Sequence, residues 1–147
     1  MKKIKIYVVD DEIFYADIIA DFLKIKKYDK PKTFPTAEMM LDELYMKPDI
    51  VILDINLPGM SGITALKKIK EFDPDIYVIM LSSQEDIVTA VNTLKHGAFD
   101  YIIKDEKAFG KLLEVLEKVK HVELLKENMY FSLLGKVKLT KRHYVFH

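Results

Sequence analysis

The sequence predicts an α/β fold, a five-stranded parallel sheet doubly wound by helices. Four short runs are apolar almost throughout: Ile4–Val9, Ile50–Leu53, Ile76–Leu81 and Tyr101–Ile103. They are rich in Ile, Val and Tyr and too short for helices. Continuous apolar runs of that length suit strands buried on both faces. Helical spacings lie between them, and alternation of strand and helix builds βαβ units. The size permits a core. A domain of about 150 residues buries about 68–70% of its chain's surface, and this chain has 147 residues, 50% of them hydrophobic.

The elements follow in order. The first strand covers 4–9, and its helix carries Ile13, Ala16, Ala20 and Leu23 on one face. A second strand is needed before the next helix, and 30–34 supplies it. Its Pro31 and two lysines suit an edge strand and no other. Met39 and Met40 then face the core or its rim. The third strand covers 49–53, followed by a helix with Leu66, Ile69 and Lys70 on one face. The fourth covers 76–81, followed by Ile87, Val91, Leu94 and Ala98 at helical spacing. The fifth covers 100–103. The last helix begins near Glu106 and carries Phe109, Leu112, Leu116 and Val119.

That helix is expected to run through Val122 and Leu125 to about Asn128, closing a domain over 1–128. Val115, Val119, Val122 and Met129 follow a three-four spacing. Such a seam suits a second helix, and equally a helix end covering its own domain. Residues 129–147 form a basic, aromatic extension with Lys136, Lys138, Lys141 and Arg142 and no acids. Val137 and Leu139 alternate with lysines there, which predicts a strand. The extension is expected to pack on the domain or on a second subunit, and so to help form a homodimer.

Composition removes several classes of function. The chain has no cysteine, so a disulfide scaffold, an Fe–S cluster and a catalytic thiol are excluded. The 23 basic and 23 acidic residues balance, so no global field draws it to nucleic acid or to an anionic membrane. The apolar run after Lys2 and Lys3 is too short for a signal peptide and ends in acids. No segment approaches the roughly 20 apolar residues of a membrane span. A soluble, cytoplasmic protein is expected.

In open α/β sheets, ligands sit at the carboxyl ends of the strands. The first strand ends in Asp10-Asp11-Glu12, the third in Asp54, the fourth in Ser82-Ser83 and the fifth in Lys104. Two carboxylates about 5 Å apart cost roughly 3 kcal/mol at an effective dielectric of 20. A fold keeps such a cluster where something positive binds. Hard oxygen donors without His or Cys suggest Mg²⁺. Mg²⁺ on a few carboxylates usually handles phosphate. Lys104 could hold a phosphoryl oxygen or a carboxylate, and Ser82 could donate to another oxygen. An aspartate in such a site can itself be the nucleophile.

Four motifs in order carry a resemblance. Val8-Val9-Asp10-Asp11-Glu12, Leu53-Asp54-Ile55-Asn56-Leu57-Pro58-Gly59-Met60-Ser61-Gly62, Leu81-Ser82-Ser83 and Gly97-Ala98-Phe99-Asp100-Tyr101-Ile102-Ile103-Lys104 resemble the receiver domain of two-component response regulators. The resemblance implies the flavodoxin-like strand order 2-1-3-4-5. It implies that Asp54 is the phosphoacceptor. Asp10 and Asp11 resemble the pair that holds Mg²⁺ with Asp54, the backbone carbonyl of Asn56 being a further ligand. Ser82, with Ser83 beside it, matches the switch hydroxyl. Lys104 is similar to the lysine that bridges Asp54 and the phosphate, and Tyr101 to the aromatic whose rotamer follows the switch. Asn56 and Gln84, flanking the site, are expected to tune the lifetime of the phosphoryl group.

One residue departs from the pattern. The family usually has proline after the lysine, often with a cis peptide, and here it is Asp105. A non-proline cis bond costs about 3 kcal/mol. Either that bond is cis, or the loop takes another path. Asp105 either adds a carboxylate near the site or caps the last helix.

The resemblance implies a single-domain response regulator. A sensor histidine kinase or phosphotransfer protein would phosphorylate it with Mg²⁺ as cofactor. It would signal by protein contact to a downstream target that the residues do not name. Two other readings use the same residues. A phosphorylation-independent binding module would keep the fold without the chemistry. A Mg²⁺-dependent phosphohydrolase with an Asp nucleophile would carry an Asp two residues beyond it, where this chain has Asn56.

Overall fold

A computed structural model describes residues 3–83 and 85–144, with side chains as far as Gly135. The elements are β1 (Ile6–Val9), α1 (Ile13–Ile25), β2 (Lys32–Phe34), α2 (Ala37–Leu41), a 3-10 turn (Leu44–Met46), β3 (Ile50–Asp54), α3 (Gly62–Phe72), β4 (Tyr77–Ser82), α4 (Ile87–Lys95), β5 (Asp100–Ile103) and α5 (Ala108–Tyr144). The five strands are parallel in the order β2-β1-β3-β4-β5. The lysine- and proline-bearing segment therefore forms an edge strand, as expected.

Alternate residues of the central strands are buried on opposite faces. Tyr7, Val9, Val51, Leu53, Val78 and Met80 join Ala37 and Met40 of α2 and Ala65, Leu66 and Ile69 of α3 in one core. The opposite parity, Ile6, Val8, Ile50, Ile52 and Ile79, is buried as well, as are Ala16, Ile19, Ala20 and Leu23 of α1. That is why these strands read as unbroken apolar runs. Of the methionine pair, Met40 is buried and Met39 is half exposed.

One expectation is refined and one needs correction. The face shared by Ile87, Val91 and Leu94 is exposed, and α4 buries Thr93 instead. Periodicity tells which residues share a face; it does not tell which face meets the sheet. The strand expected in the C-terminal extension does not form over the described residues, because α5 continues as one helix to Tyr144. Once a helix is nucleated, each added residue gains a hydrogen bond at little cost. No proline follows Pro74 to stop it. A strand would instead have needed a sheet edge to pair with.

The chain divides into two compact units after Lys111. The first holds the sheet, α1 to α4 and the first turn of α5. Within the second, Leu112, Val115, Leu116 and Val119 are buried. Leu124, Leu125, Met129, Tyr130, Phe131 and Leu133 are exposed.

Candidate functional site

Strand register assembles the site. Val9 pairs with Leu53, so Asp10 and Asp54, the next residues, come side by side. Asp54 pairs with Leu81, and Ser82 with Ile103, so Ser82 and Lys104 join the same edge. A carboxylate oxygen from each of Asp10, Asp11 and Asp54 lies within 4.8 Å of the others. Asp10 and Asp54 are buried and Asp11 is exposed.

Short turns fix the carboxylates. Asp10 Oδ1 accepts from the Glu12 backbone N–H at 2.9 Å, and Asp54 Oδ1 from the Asn56 N–H at 3.1 Å. The loop after β3 returns closely, its Gly62 N–H donating to the Ile55 carbonyl at 2.9 Å. A Cβ at Gly62 would lie 2.2 Å from the Asp54 carbonyl oxygen, so only glycine fits beside this strand end. Ser61 starts α3, its side chain accepting from the Thr64 N–H.

Lys104 enters from the end of β5, its side chain 8% exposed. Its Nζ lies 2.7 Å from Asp10 Oδ2, 3.2 Å from Asp54 Oδ2 and 3.7 Å from Glu12 Oε1. Burial pulls the ammonium toward neutrality, but the hydrogen bond to Asp10 and the charge of Asp54 outweigh it. The result is a pKa above the ordinary lysine value. Burial pushes the Asp54 carboxyl above its ordinary range. The charge of Lys104 and the Asn56 N–H offset only part of this, and Asp10 adds to it.

Ser82 is fully buried. It does not cap the fourth helix, because Asp86 does, accepting from the Val88 N–H at 3.0 Å. Ser83 is exposed next to it, and Gln84 lies outside the described residues. Tyr101 is half-buried and packs against the α2–α3 face of the core. Asn56 is exposed. The Lys104–Asp105 peptide is trans, as are all those described. Asp105 takes the capping role, its side chain accepting from the Lys107 N–H at 2.9 Å and its carbonyl from Ala108 at 3.1 Å.

Sequence assigns no role to two neighbours of Lys104. Glu12 approaches its Nζ, and the Tyr15 ring lies 4.7 Å from it. The available signal was position: Tyr15 falls one helical turn after Asp11, on the side of α1 that returns to the strand end.

The donor set fits a small hard cation. Oxygens across an octahedral Mg²⁺ are about 4.2 Å apart at 2.1 Å per bond. The three carboxylate oxygens lie within 4.8 Å of one another, near enough to converge on one such ion with waters completing its shell.

Comparison with known proteins agrees with the geometry. Residues 6–117 match the family model of the response regulator receiver domain. The chain is 40% identical over 115 residues to a protein-glutamate methylesterase/protein-glutamine glutaminase of Clostridium acetobutylicum, covering 74% of this chain and 33% of that protein. It thus spans a third of that relative's length. It is 36% identical over 118 residues to the chemotaxis protein CheY of Listeria monocytogenes, covering 78% of this chain and 97% of that one. A CheY-like receiver domain protein of Methanospirillum hungatei superposes with a TM-score of 0.75 at 26% identity, over 83% of this chain and 98% of that one.

Proposed function

The chain belongs to the response regulator receiver family, and on that premise we propose that Asp54 accepts a phosphoryl group from a histidine kinase or phosphotransfer protein. One observation carries the proposal: a buried carboxylate, Asp54, lies among two further aspartates and a buried lysine at the carboxyl edge of the sheet. An Asp54 carboxylate oxygen attacks the phosphorus as the bond to the donor breaks. Asp10, Asp11, Asp54 and the backbone carbonyl of Asn56 would hold Mg²⁺. Its chemistry there is to neutralise charge on the phosphoryl oxygens and on the carboxylates. Lys104 turns its ammonium from Asp54 to a phosphoryl oxygen, and Ser82 donates to another, with Ser83 at its side. Tyr101 repacks as Ser82 moves, carrying the change to the surface of α4, β5 and the first turn of α5. Asn56 and Gln84 set how readily water reaches the phosphoryl group.

The exposed apolar residues of α5 support a homodimer through that helix. No helix among the described residues is long and apolar enough to cross a membrane, and the proposed donor places the protein in the cytoplasm. Its downstream partner is a protein target.

The test is intact mass after incubation with acetyl phosphate, with and without Mg²⁺, for wild type and Asp54→Ala. A Mg²⁺-dependent gain of one phosphoryl group, absent in the variant, is expected. No gain from acetyl phosphate or from any kinase would favour the phosphorylation-independent binding module. Steady turnover of small phosphate esters would favour the hydrolase.

A further inference from the structure

The contacts of Lys104 are of two kinds. Its hydrogen-bonded and ionic partners are the carboxylates of Asp10, Asp54 and Glu12. Those same carboxylates are the groups that a divalent cation or a new phosphoryl ester would claim. Among the described residues, the Tyr15 ring also lies against the ammonium, with Nζ 4.7 Å from its centroid. An ammonium within about 6 Å of an aromatic face is attracted by the ring quadrupole, and more strongly where water is excluded. Lys104 is nearly buried, so the contact belongs to the stronger class.

The ring is itself held. Phe109, in the first turn of α5, meets it edge-on at 5.9 Å and 67°. Phe109 also packs on Phe22 of α1 at 5.0 Å and 40°. Tyr15 is therefore carried by α1 and braced by Phe109, which α1 also holds through Phe22. It offers Lys104 an attraction that is separate from the carboxylates.

We propose that Tyr15 is a positioning residue whose ring face holds the Lys104 ammonium beside Asp54. Lys104 then meets an incoming phosphoryl oxygen from a pre-set place. This rests on the phosphoacceptor reading of Asp54. It requires the π face of residue 15 and not its hydroxyl.

Two readouts test it. In the metal-free protein, the ε-CH₂ resonances of Lys104 should carry an upfield ring-current shift. Tyr15→Phe should keep that shift and Tyr15→Leu should lose it. Phosphoryl uptake from acetyl phosphate at saturating Mg²⁺ is the second readout. Tyr15→Phe should stay within about twofold of wild type. Mono-, di- and trifluorinated phenylalanines at position 15 keep the shape while weakening the quadrupole, so uptake should slow stepwise, by about 3–10-fold at the end of the series. Fluorination also weakens the edge-on contact with Phe109, so the series is repeated in Phe109→Leu. The same stepwise slowing is expected there, and a series that turns flat assigns the effect to Phe109 and overturns the proposal. A flat series in a protein that does take up phosphate overturns the proposal, as does an unchanged Lys104 shift in Tyr15→Leu. A wild-type protein that takes up no phosphoryl group from any donor overturns the phosphoacceptor reading and the functional half of this one. The ring-current comparison then decides the contact on its own.

Discussion

At the scale of single residues, the site holds more charge than burial favours. The Asp54 carboxyl binds its proton more tightly in the folded protein than in the unfolded chain, because burial raises its pKa. Its ionisation therefore opposes folding. The stability it contributes is present below the unfolded value and is lost as pH rises through the folded one. Asp54→Asn should accordingly raise the thermal midpoint at neutral pH without Mg²⁺. The gain should fade as pH falls below the ordinary carboxylate range; scanning calorimetry across pH measures both. Lys104 acts in the opposite sense. Lys104→Met leaves Asp10 and Asp54 buried without their cation and should cost about 3–5 kcal/mol in urea unfolding without divalent ions. Added Mg²⁺ should recover part of that loss, and equal stabilities with and without Mg²⁺ would argue that the aspartates do not hold it.

At the scale of elements, the ends of strands matter more than their middles. The approach of Gly62 to the Asp54 carbonyl ties the start of α3 to the end of β3. Gly62→Ala must push the strand end aside, which should cost about 3 kcal/mol. It should also slow phosphoryl uptake more than an equal destabilisation elsewhere, such as Ile69→Val or Leu66→Ala matched in urea. Asp105 shows how local chemistry replaces a missing proline. With a trans peptide before it, its side chain and carbonyl both take up N–H groups at the entrance to α5, and Lys104 still reaches Asp54. The tail shows the converse limit. Val137 and Leu139 alternating with lysines resemble a strand, yet a helix already running needs no partner to continue.

At the scale of the whole molecule, the exposed apolar residues of α5 are the feature that invites a partner. Met129, Tyr130, Phe131 and Leu133 are exposed side by side in sequence, and exposed aromatic and aliphatic clusters mark contact surfaces. Sedimentation equilibrium should show reversible association of the wild type, lost in Met129→Glu/Phe131→Glu. A wild type that stays monomeric over the full concentration range would remove the dimer from the proposed function.

Sequence by itself determined the architecture and which polar residues end its strands. Strands buried on both faces write themselves as unbroken apolar runs, and chemistry at strand ends appears as polar residues directly after those runs. Asp10, Asp11, Asp54, Ser82 and Lys104 were legible for that reason. What only the tertiary structure decided depends on distance between elements. Strand register set Asp10 beside Asp54, and the packing of α1 brought Tyr15 over Lys104. Which face of α4 meets the sheet, and whether the tail pairs or continues as helix, follow from the same cause. Periodicity records which residues lie together on one element, whereas burial depends on what another element, distant in sequence, places against it.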